Sequence, residues 1–553
     1  MEWSTACPDW EDRIVNGQYP AASPILFPES AEYALDIFKR LKIVDMLGLP
    51  TIGDVTREWV YQFVGSFFGS LDDVEYRRYI QEFMLLISKK NTKSTMAAGI
   101  MLTVLITNQR HSAEFLILAP TVEAANNAFK PARDMVNNDP DLKALITVQE
   151  HIRTITYRAT GAQLKVLAAD SNTVSGSKAA GVLIDELWLF GKKAKADSMI
   201  TEATGGLMSK PEGFVIYLTT QSDEAPAGVF REKLLYMRKV RDGKIQDKHC
   251  LPVLYEYPRD MLKSKAYLEP ENFHITNPNL GASVDEAFLT RKIVAAQQGS
   301  GDDTIQQVLA KHLNVEIGLA LASDYWPGAE FWDKCAGAVT LDDLLERSEV
   351  VVVGIDGGGL DDLLGLTVGG RDRDTGRWLF WSKAYAHPSV LQRRKEISPK
   401  LKDFEKLGQV ELVERIGDDV EDVVNIIKRI DALELLHQIG VDPVGIGTIL
   451  DALEEADIPE NKIVGVSQGW KLYGAIKTAE RKLAAGEIEH DGSELMQWCV
   501  GNAKVEPRAN SKLITKAASG TAKIDPLMSF LNAVHLLALN PPASTGKFRL
   551  LVL

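Results

Sequence analysis

Gly181–Glu186 reads GVLIDE, four small or apolar residues running straight into two adjacent carboxylates. A short unbroken apolar run of this kind reads as a strand buried on both faces. Ending such a strand in Asp185 and Glu186 sets negative charge at the edge of a dry interior, which is costly unless a metal ion or a reacting group uses it. The plainer alternative is a strand that stops at a solvated turn, and the flanking sequence has to separate the two.

The neighbouring segments repeat the pattern. Glu82–Thr95 (EFMLLISKKNTKST) is an apolar strand, a short basic loop and a Lys-Ser pair that opens the helical run TMAAGIMLTVLIT. Glu114–Pro120 (EFLILAP) is a second strand with a helix expected over Thr121–Val136, and Gln163–Ala168 (QLKVLA) is a third, followed by a small polar loop at 170–177. Phe214–Thr220 (FVIYLTT) is another, ending in Thr219, Thr220, Gln221 and Ser222. Strands alternating with helices imply a mostly parallel sheet with helices on both faces, and ligands of such sheets bind at the carboxyl ends of the strands. Lys93, Asp185, Glu186 and Thr220 all fall at such ends.

A phosphate loop needs backbone N–H groups curled round the phosphates, a Lys reaching the outer oxygens and a hydroxyl on Mg²⁺ at a helix start. Lys93 and Ser94 supply the side chains, and Lys89, Lys90, Asn91, Thr92 and Thr95 form the rest of the expected nucleotide cradle. The usual pattern G-x-x-x-x-G-K-[ST] fails at both glycines, because Ile87 and Thr92 stand there. The expectation is nonetheless ATP binding, resting on the convergence of this loop with GVLIDE.

Composition narrows the partners. The 553 residues suggest several domains, and a formal net charge of −14 argues against coating nucleic acid by bulk charge while allowing local basic tracks and acidic metal sites. Cys7, Cys250, Cys335 and Cys499 are scattered without C-x-x-C spacing, so neither zinc nor a disulfide framework is indicated and a reducing cytoplasm fits. No apolar run reaches membrane-spanning length, and the acidic start MEWSTACPDWEDRIV is unlike a signal peptide.

The remaining landmarks divide the chain into an N-terminal arm and helix (1–50), a nucleotide-binding core (51–255), a linker subdomain (256–345) and a second α/β domain (346–553). In the first, helical spacing runs over Ala31–Leu47 before Gly48 and Pro50. Trp59–Phe68 is aromatic-rich, either core or, through Gln62, a reader of the adenine edge. Arg231–Lys248 holds seven basic against three acidic residues and reads as a solvated helix or a DNA-backbone track.

In the last region Ser348–Asp356 (SEVVVVGID) is a β-prone strand ending in a carboxylate, followed by a glycine turn, a second strand and a third over Arg377–Ala384. Gly440–Gly447 (GVDPVGIG) sets Asp442 in or at the end of a short strand before a helix at Thr448–Ala456. Asp525, at or near an N-cap with Pro526 at N1, opens the helix Leu527–Leu539. Acids on three elements suit a nuclease in which two Mg²⁺ or Mn²⁺ ions lie about 4 Å apart, although an Asp at a helix start is often only a cap. Lys504, Arg508, Lys512, Lys516 and Lys523 precede Asp525 and suit a phosphodiester backbone.

Taken together, KKNTKS, VLIDELW, YLTTQS, VGIDGGGLDDL, GVDPVGIGTILDAL and the closing WCVGNAKVEPRANSKLITKAASGTAKIDPL resemble the large subunit of tailed-bacteriophage terminases over nearly the whole chain. The resemblance implies a P-loop NTPase domain followed by a ribonuclease-H-like mixed α/β nuclease domain, that is, ATP-driven translocation of viral double-stranded DNA into a procapsid and metal-dependent cutting of concatemers. It makes KKNTKS a deviant Walker A and VLIDELW a Walker B. Lys93 and Ser94 then bind phosphate and Mg²⁺, Asp185 binds Mg²⁺, Glu186 activates water, and Asp356, Asp442 and Asp525 hold the nuclease metals, with Asp362 and Asp451 as further possibilities. A terminase small subunit, a capsid portal, a homo-oligomeric ring with an arginine lent in trans, and a host cytoplasmic setting docked on the procapsid are implied in the same way. Two other readings compete: a DNA-stimulated ATPase or helicase without nuclease activity, and an inactive structural or adaptor protein with a degenerate nucleotide fold.

Overall fold

A computed structural model describes residues 2–169, 178–193, 196–299, 303–317, 326–358, 362–395, 397–415, 417–443, 447–508, 511–516 and 523–544, so the polar loop expected at 170–177 lies outside the described residues. The chain forms two compact units, Met1–Ile317 and Gly318–Leu553. The linker stretch expected over 256–345 contributes to both.

In the first unit, helix α1 (Pro28–Arg40) opens with Pro at N1, where its missing N–H costs nothing. It stops short of the expected Leu47 because Leu41 turns extended, and the chain then folds back so that the Ile43 N–H donates to the Pro50 carbonyl. Helix α2 (Glu58–Phe68) buries Trp59, Phe63 and Phe67. The central sheet is built from β1 (Glu82–Leu86), β2 (Glu114–Ala119), β3 (Ile146–Gln149), β4 (Thr154–Tyr157), β5 (Gln163–Ala168), β6 (Gly181–Asp185), β7 (Phe214–Thr219) and β8 (Cys250–Leu254). Their order is β8-β1-β7-β6-β2-β5-β4-β3, parallel from β8 to β5, with β4 and β3 added antiparallel at one edge.

Side-chain alternation explains why helices cover both faces. Met84, Leu86, Val182, Ile184, Val215 and Tyr217 join the core with Phe230, Leu234 and Met237 of helix α5 (Gly228–Arg241). On the opposite face Phe63 and Phe67 of α2 pack edge-on against Phe83. Helix α3 (Lys93–Thr107) follows β1. Helix α4 (Val122–Asn137) follows β2 and is capped by Thr121, whose side chain accepts from the Ala124 N–H.

The second unit is a mixed sheet of β9 (Ser348–Gly357), β10 (Leu364–Asp372), β11 (Trp378–Ala386), β12 (Val410–Leu412), β13 (Leu436–Val441), β14 (Ile463–Gly465) and β15 (Ile488–His490). Strands β9, β10 and β11 form an antiparallel meander, while β13 and β14 run parallel to β9, giving the order β12-β11-β10-β9-β13-β14, with β15 also paired to β11. Without the short edge strand β12, the five central strands have the sequence rank 3-2-1-4-5 of a ribonuclease-H-like sheet. Helix α6 (Asp418–Ala432) packs Val423, Ile427 and Ile430 on the face bearing Val351, Val353 and Ile355. Helix α7 (Gly447–Glu455) follows β13.

The other face carries Val352, Gly354 and Asp356 and receives helix α8 (Asp525–Ala538). Here the glycines of the sequence have a packing role. A Cβ on Gly354 would lie 2.0 Å from the Ser529 carbonyl oxygen, and one on Gly365 would lie 2.8 Å from the Asp525 carbonyl oxygen. The Thr367 and Ser529 hydroxyls meet at 2.8 Å, and the Asn532 side chain donates to the Ile355 carbonyl at 2.9 Å. Together they fix α8 along and across the sheet.

No helix among the described residues is long and apolar enough to cross a membrane. All four cysteines are buried and none forms a disulfide.

Gly354→Ala should therefore lift α8 and destabilise the second unit by about 3 kcal/mol. Gly474→Ala, in helix Tyr473–Ala484 where an added Cβ meets nothing within 4 Å, should be neutral or stabilising by ~0.5–1 kcal/mol. Calorimetric unfolding of the two variants distinguishes them, and equal transitions would contradict the packing account.

Candidate nucleotide site and candidate nuclease site

Strand register decides which residues meet in the first unit. Leu86 of β1 pairs with Thr219 of β7, and Asp185 of β6 pairs with Leu218, so the three strands end level. The Ile87 N–H donates to the Thr219 carbonyl at 3.0 Å and continues that alignment into the basic loop. Strand β7 thus separates the loop from the acids, and its Thr219–Ser222 end lies between them.

Lys93 is buried at the first turn of α3, with Ser94 exposed and Thr95 half-buried beside it. The first N–H groups of a helix lack intrahelical partners and favour anions. The Lys93 ammonium donates to the Ile87 carbonyl at 3.2 Å and lies 3.9 Å from Glu186 Oε1. Lys89 is half-buried and Lys90 exposed, while Asn91 is fully buried. Burial, with Lys311 next in weight, pushes the Lys89 ammonium below its ordinary range.

Two positions in this loop adopt the left-handed conformation without being glycine, Lys90 at φ 70° and Thr92 at φ 60°. Each costs about 1–2 kcal/mol relative to a right-handed residue. At Thr92, where the usual pattern has its second glycine, the left-handed curl is therefore present and strained.

Asp185 is 7% exposed, and burial, reinforced by Glu186 and opposed by Lys93, pushes its carboxyl up to about 7. Glu186 is also left-handed, at φ 53°, and its Oε2 accepts from the Trp188 indole N–H at 2.7 Å. The Trp188 backbone N–H in turn donates to the Thr219 hydroxyl at 3.1 Å. Trp188 thus ties the acidic pair to the end of β7, a role that sequence reasoning missed although the residue lies inside VLIDELW. Beyond it, Asp223 takes Lys192 at 2.7 Å and Lys311 at 3.3 Å; despite its burial, these two hold its carboxyl below the usual range. Gln62 lies half-buried on α2.

Three of the seven basic residues at 231–248 are spent inside the fold, while Lys239, Lys244 and Lys248 are exposed. Arg238 pairs with Glu256 and Glu316, the buried Arg241 with Glu256 at 2.8 Å, and Lys233 with Glu82 at 2.7 Å. The DNA-track reading is corrected to a structural ion network for these residues. A charge run does not reveal partners distant in sequence.

In the second unit Ile355 pairs with Val441 in parallel register, so Asp356 and Asp442 follow one another's partners at adjacent strand ends, on the face that carries α8. Asp525 is the first residue of α8 rather than its cap, with Pro526 second, and its side chain is buried. Gly357, at φ 83°, passes close beneath it: a Cβ there would sit 3.1 Å from the Asp525 Cβ. Asp356 is buried and Asp442 half-buried. Asp451 is exposed on α7, away from the strand end.

Asp362 pairs with Lys523, which is buried, so Lys523 turns inward beside Asp362. Lys504 is half-buried on the hairpin Ala503–Arg508/Ser511–Lys516, and the side chains of Arg508, Lys512 and Lys516 lie outside the described residues. Among the described residues no three His, Cys, Asp or Glu side chains are already grouped as a metal cage.

A sheet whose strand ends align a basic loop with an acidic pair, on the same chain as a ribonuclease-H-like sheet with acids on one face, defines an ATPase joined to a nuclease. Family comparison agrees: residues 58–238 match the terminase large subunit ATPase domain and residues 254–540 match the terminase large subunit endonuclease domain. The chain belongs to the terminase large subunit family; it is a DNA-packaging ATPase and endonuclease.

Protein YmfN of Escherichia coli (strain K12) is 19% identical over 352 residues, covering 61% of this chain and 74% of that protein. The large terminase of bacteriophage HK97 is 20% identical, with a TM-score of 0.46, 92% of this chain and 99% of that chain covered. The large terminase of a thermophilic bacteriophage, solved in complex with ADP, is 14% identical at a TM-score of 0.32, covering 85% of this chain and 97% of that one.

Trp188→Phe keeps an aromatic ring but removes the donor to Glu186. Steady-state ATP hydrolysis should fall about tenfold in kcat with KM changed far less. An unchanged kcat would mean that this hydrogen bond does not orient Glu186.

Proposed function

We propose that Lys93, Ser94 and the loop Lys89–Thr95 bind the nucleotide phosphates, that Asp185 and Ser94 hold Mg²⁺, and that Glu186 orients and deprotonates the attacking water. The observation that carries this is the level ending of β1, β7 and β6, which brings the Lys93 ammonium to 3.9 Å from Glu186. The donor set suits the cation: a buried carboxylate held near neutral pKa by burial, next to an exposed hydroxyl at a helix start. Mg²⁺, when bound, neutralises phosphate charge and keeps Asp185 ionised. Lys93 then exchanges the Ile87 carbonyl for phosphate oxygens, and Trp188 holds Glu186 toward the water while relaying its position to Thr219.

We also assign Asp356, Asp442 and Asp525 as ligands of two Mg²⁺ or Mn²⁺ ions. The shared face of β9 and β13 and the close approach of Gly357 to Asp525 support this set over one containing Asp451. In this reading Lys523 restrains Asp362 beside the site. The functional divisions are an arm (1–50), an ATPase core (51–255), a linker subdomain (256–345) and the nuclease domain (346–553). During packaging the chain works as a homo-oligomeric ring on a capsid portal, with a small subunit selecting the double-stranded DNA, in the cytoplasm of an infected bacterium. The endonuclease-domain match leaves neither the helicase reading nor the adaptor reading supported.

Plasmid cleavage in Mn²⁺ tests the nuclease assignment. Asp356→Ala, Asp442→Ala and Asp525→Ala should each lower cutting by about a hundredfold or more, Asp451→Ala should not, and chelation by EDTA should abolish it. Wild-type cutting by Asp356→Ala and Asp525→Ala together would overturn the ligand set.

A further inference from the structure

The loop Ser88–Thr92 is left-handed at Lys90 and at Thr92, and Thr92 stands where the usual pattern has its second glycine. Such backbone persists only when its surroundings fix it, and here the segment 277–283 holds the two strained positions. The Asn91 side chain donates to Asn277 Oδ1 at 2.9 Å and accepts from the Asn279 backbone N–H at 3.1 Å. The Asn279 amide donates to the Thr92 hydroxyl at 3.3 Å and to the Ser283 hydroxyl at 3.2 Å, and Ser283 donates to the Lys90 carbonyl at 2.6 Å.

The brace is itself anchored. Asn277 donates to the His312 carbonyl at 2.9 Å, Asn279 Oδ1 accepts from the Trp59 indole at 2.9 Å, and the Lys89 N–H donates to the Lys311 carbonyl at 2.7 Å. Asn91, Asn277 and Asn279 are all buried, so these bonds form where water competes little. Each strained residue thus has its own polar contact: Thr92 from Asn279, and Lys90 from Ser283.

We propose that Asn279 and Ser283 are positioning residues for ATP hydrolysis, holding the phosphate loop in its left-handed curl at Thr92 and Lys90 without glycine at either position. This rests on the reading of Lys93 and Ser94 as the phosphate-binding pair. It makes nucleotide affinity depend on the segment 277–283, far from the loop in sequence, and it ties each brace residue to one loop position.

The pairing is testable because glycine should replace the brace. In the full chain, Asn279→Ala should raise KM for ATP about tenfold and Ser283→Ala about threefold, with the thermal midpoint of each variant monitoring folding. Adding Thr92→Gly should recover most of the Asn279→Ala loss, and adding Lys90→Gly should recover most of the Ser283→Ala loss. KM values unmoved by either alanine, or losses that the matched glycine does not repair while the midpoint stays at wild type, would overturn the proposal. If Asn279→Ala is instead destabilised, the more exposed Ser283→Ala and Lys90→Gly pair decides alone. Lys93→Ala separates the two layers: wild-type hydrolysis in that variant would defeat the phosphate-site reading itself, whereas lost hydrolysis with no glycine rescue defeats only the brace.

Discussion

Negative charge at the end of a buried strand is the constraint on which both units depend. Asp185 closes β6, Asp356 lies at the end of β9 and Asp442 directly follows β13. A carboxylate in such a place loses hydration that only a cation or strong donors can replace. In the first unit the cost is visible as the elevated Asp185 carboxyl, moderated by the nearby Lys93. Parallel strands gather these ends on one edge of a sheet, so in the proposed assignment the same device serves nucleotide hydrolysis in one unit and phosphodiester cleavage in the other.

Glycine is used in opposite ways at the two sites. The second unit needs Gly354 and Gly365 because α8 lies so close to the sheet that a single Cβ would strike its backbone, and Gly357 because its φ is 83° and a Cβ would lie 2.2 Å from the Leu363 carbonyl oxygen. That closeness sets Asp525 over the strand that bears Asp356. The first unit has Thr92 where the usual pattern has its second glycine and keeps the left-handed backbone there, and at Lys90, regardless. Strain accepted at a working loop is then offset by hydrogen bonds from elsewhere.

Much of this is legible in the sequence because it is written locally. Unbroken apolar runs locate β1, β2, β6 and β7, and their carboxyl ends point to Lys93, Asp185 and Glu186 before any contact is known. The β-prone run SEVVVVGID and the glycines that follow mark β9 and its turn. What escapes is non-local. Nothing near Arg238 or Arg241 announces that Glu256 will neutralise them, and nothing near Lys523 announces Asp362. Trp188 carries no mark in the sequence that sets its indole on Glu186, and Asn277 and Asn279 lie in the stretch read only as a linker subdomain. The extent of α1 differs for a related reason, since apolar spacing continues past the point at which Leu41 turns extended and the chain folds back to Pro50.

The account stands or falls on whether Glu186 performs the hydrolytic step at the end of β6. The direct measurement is single-turnover hydrolysis of Mg²⁺·ATP by Glu186→Gln, with nucleotide binding followed in the same samples. Binding close to wild type with hydrolysis slowed by about a hundredfold or more is the expected result. Hydrolysis at the wild-type rate would contradict it and would move the catalytic base away from GVLIDE.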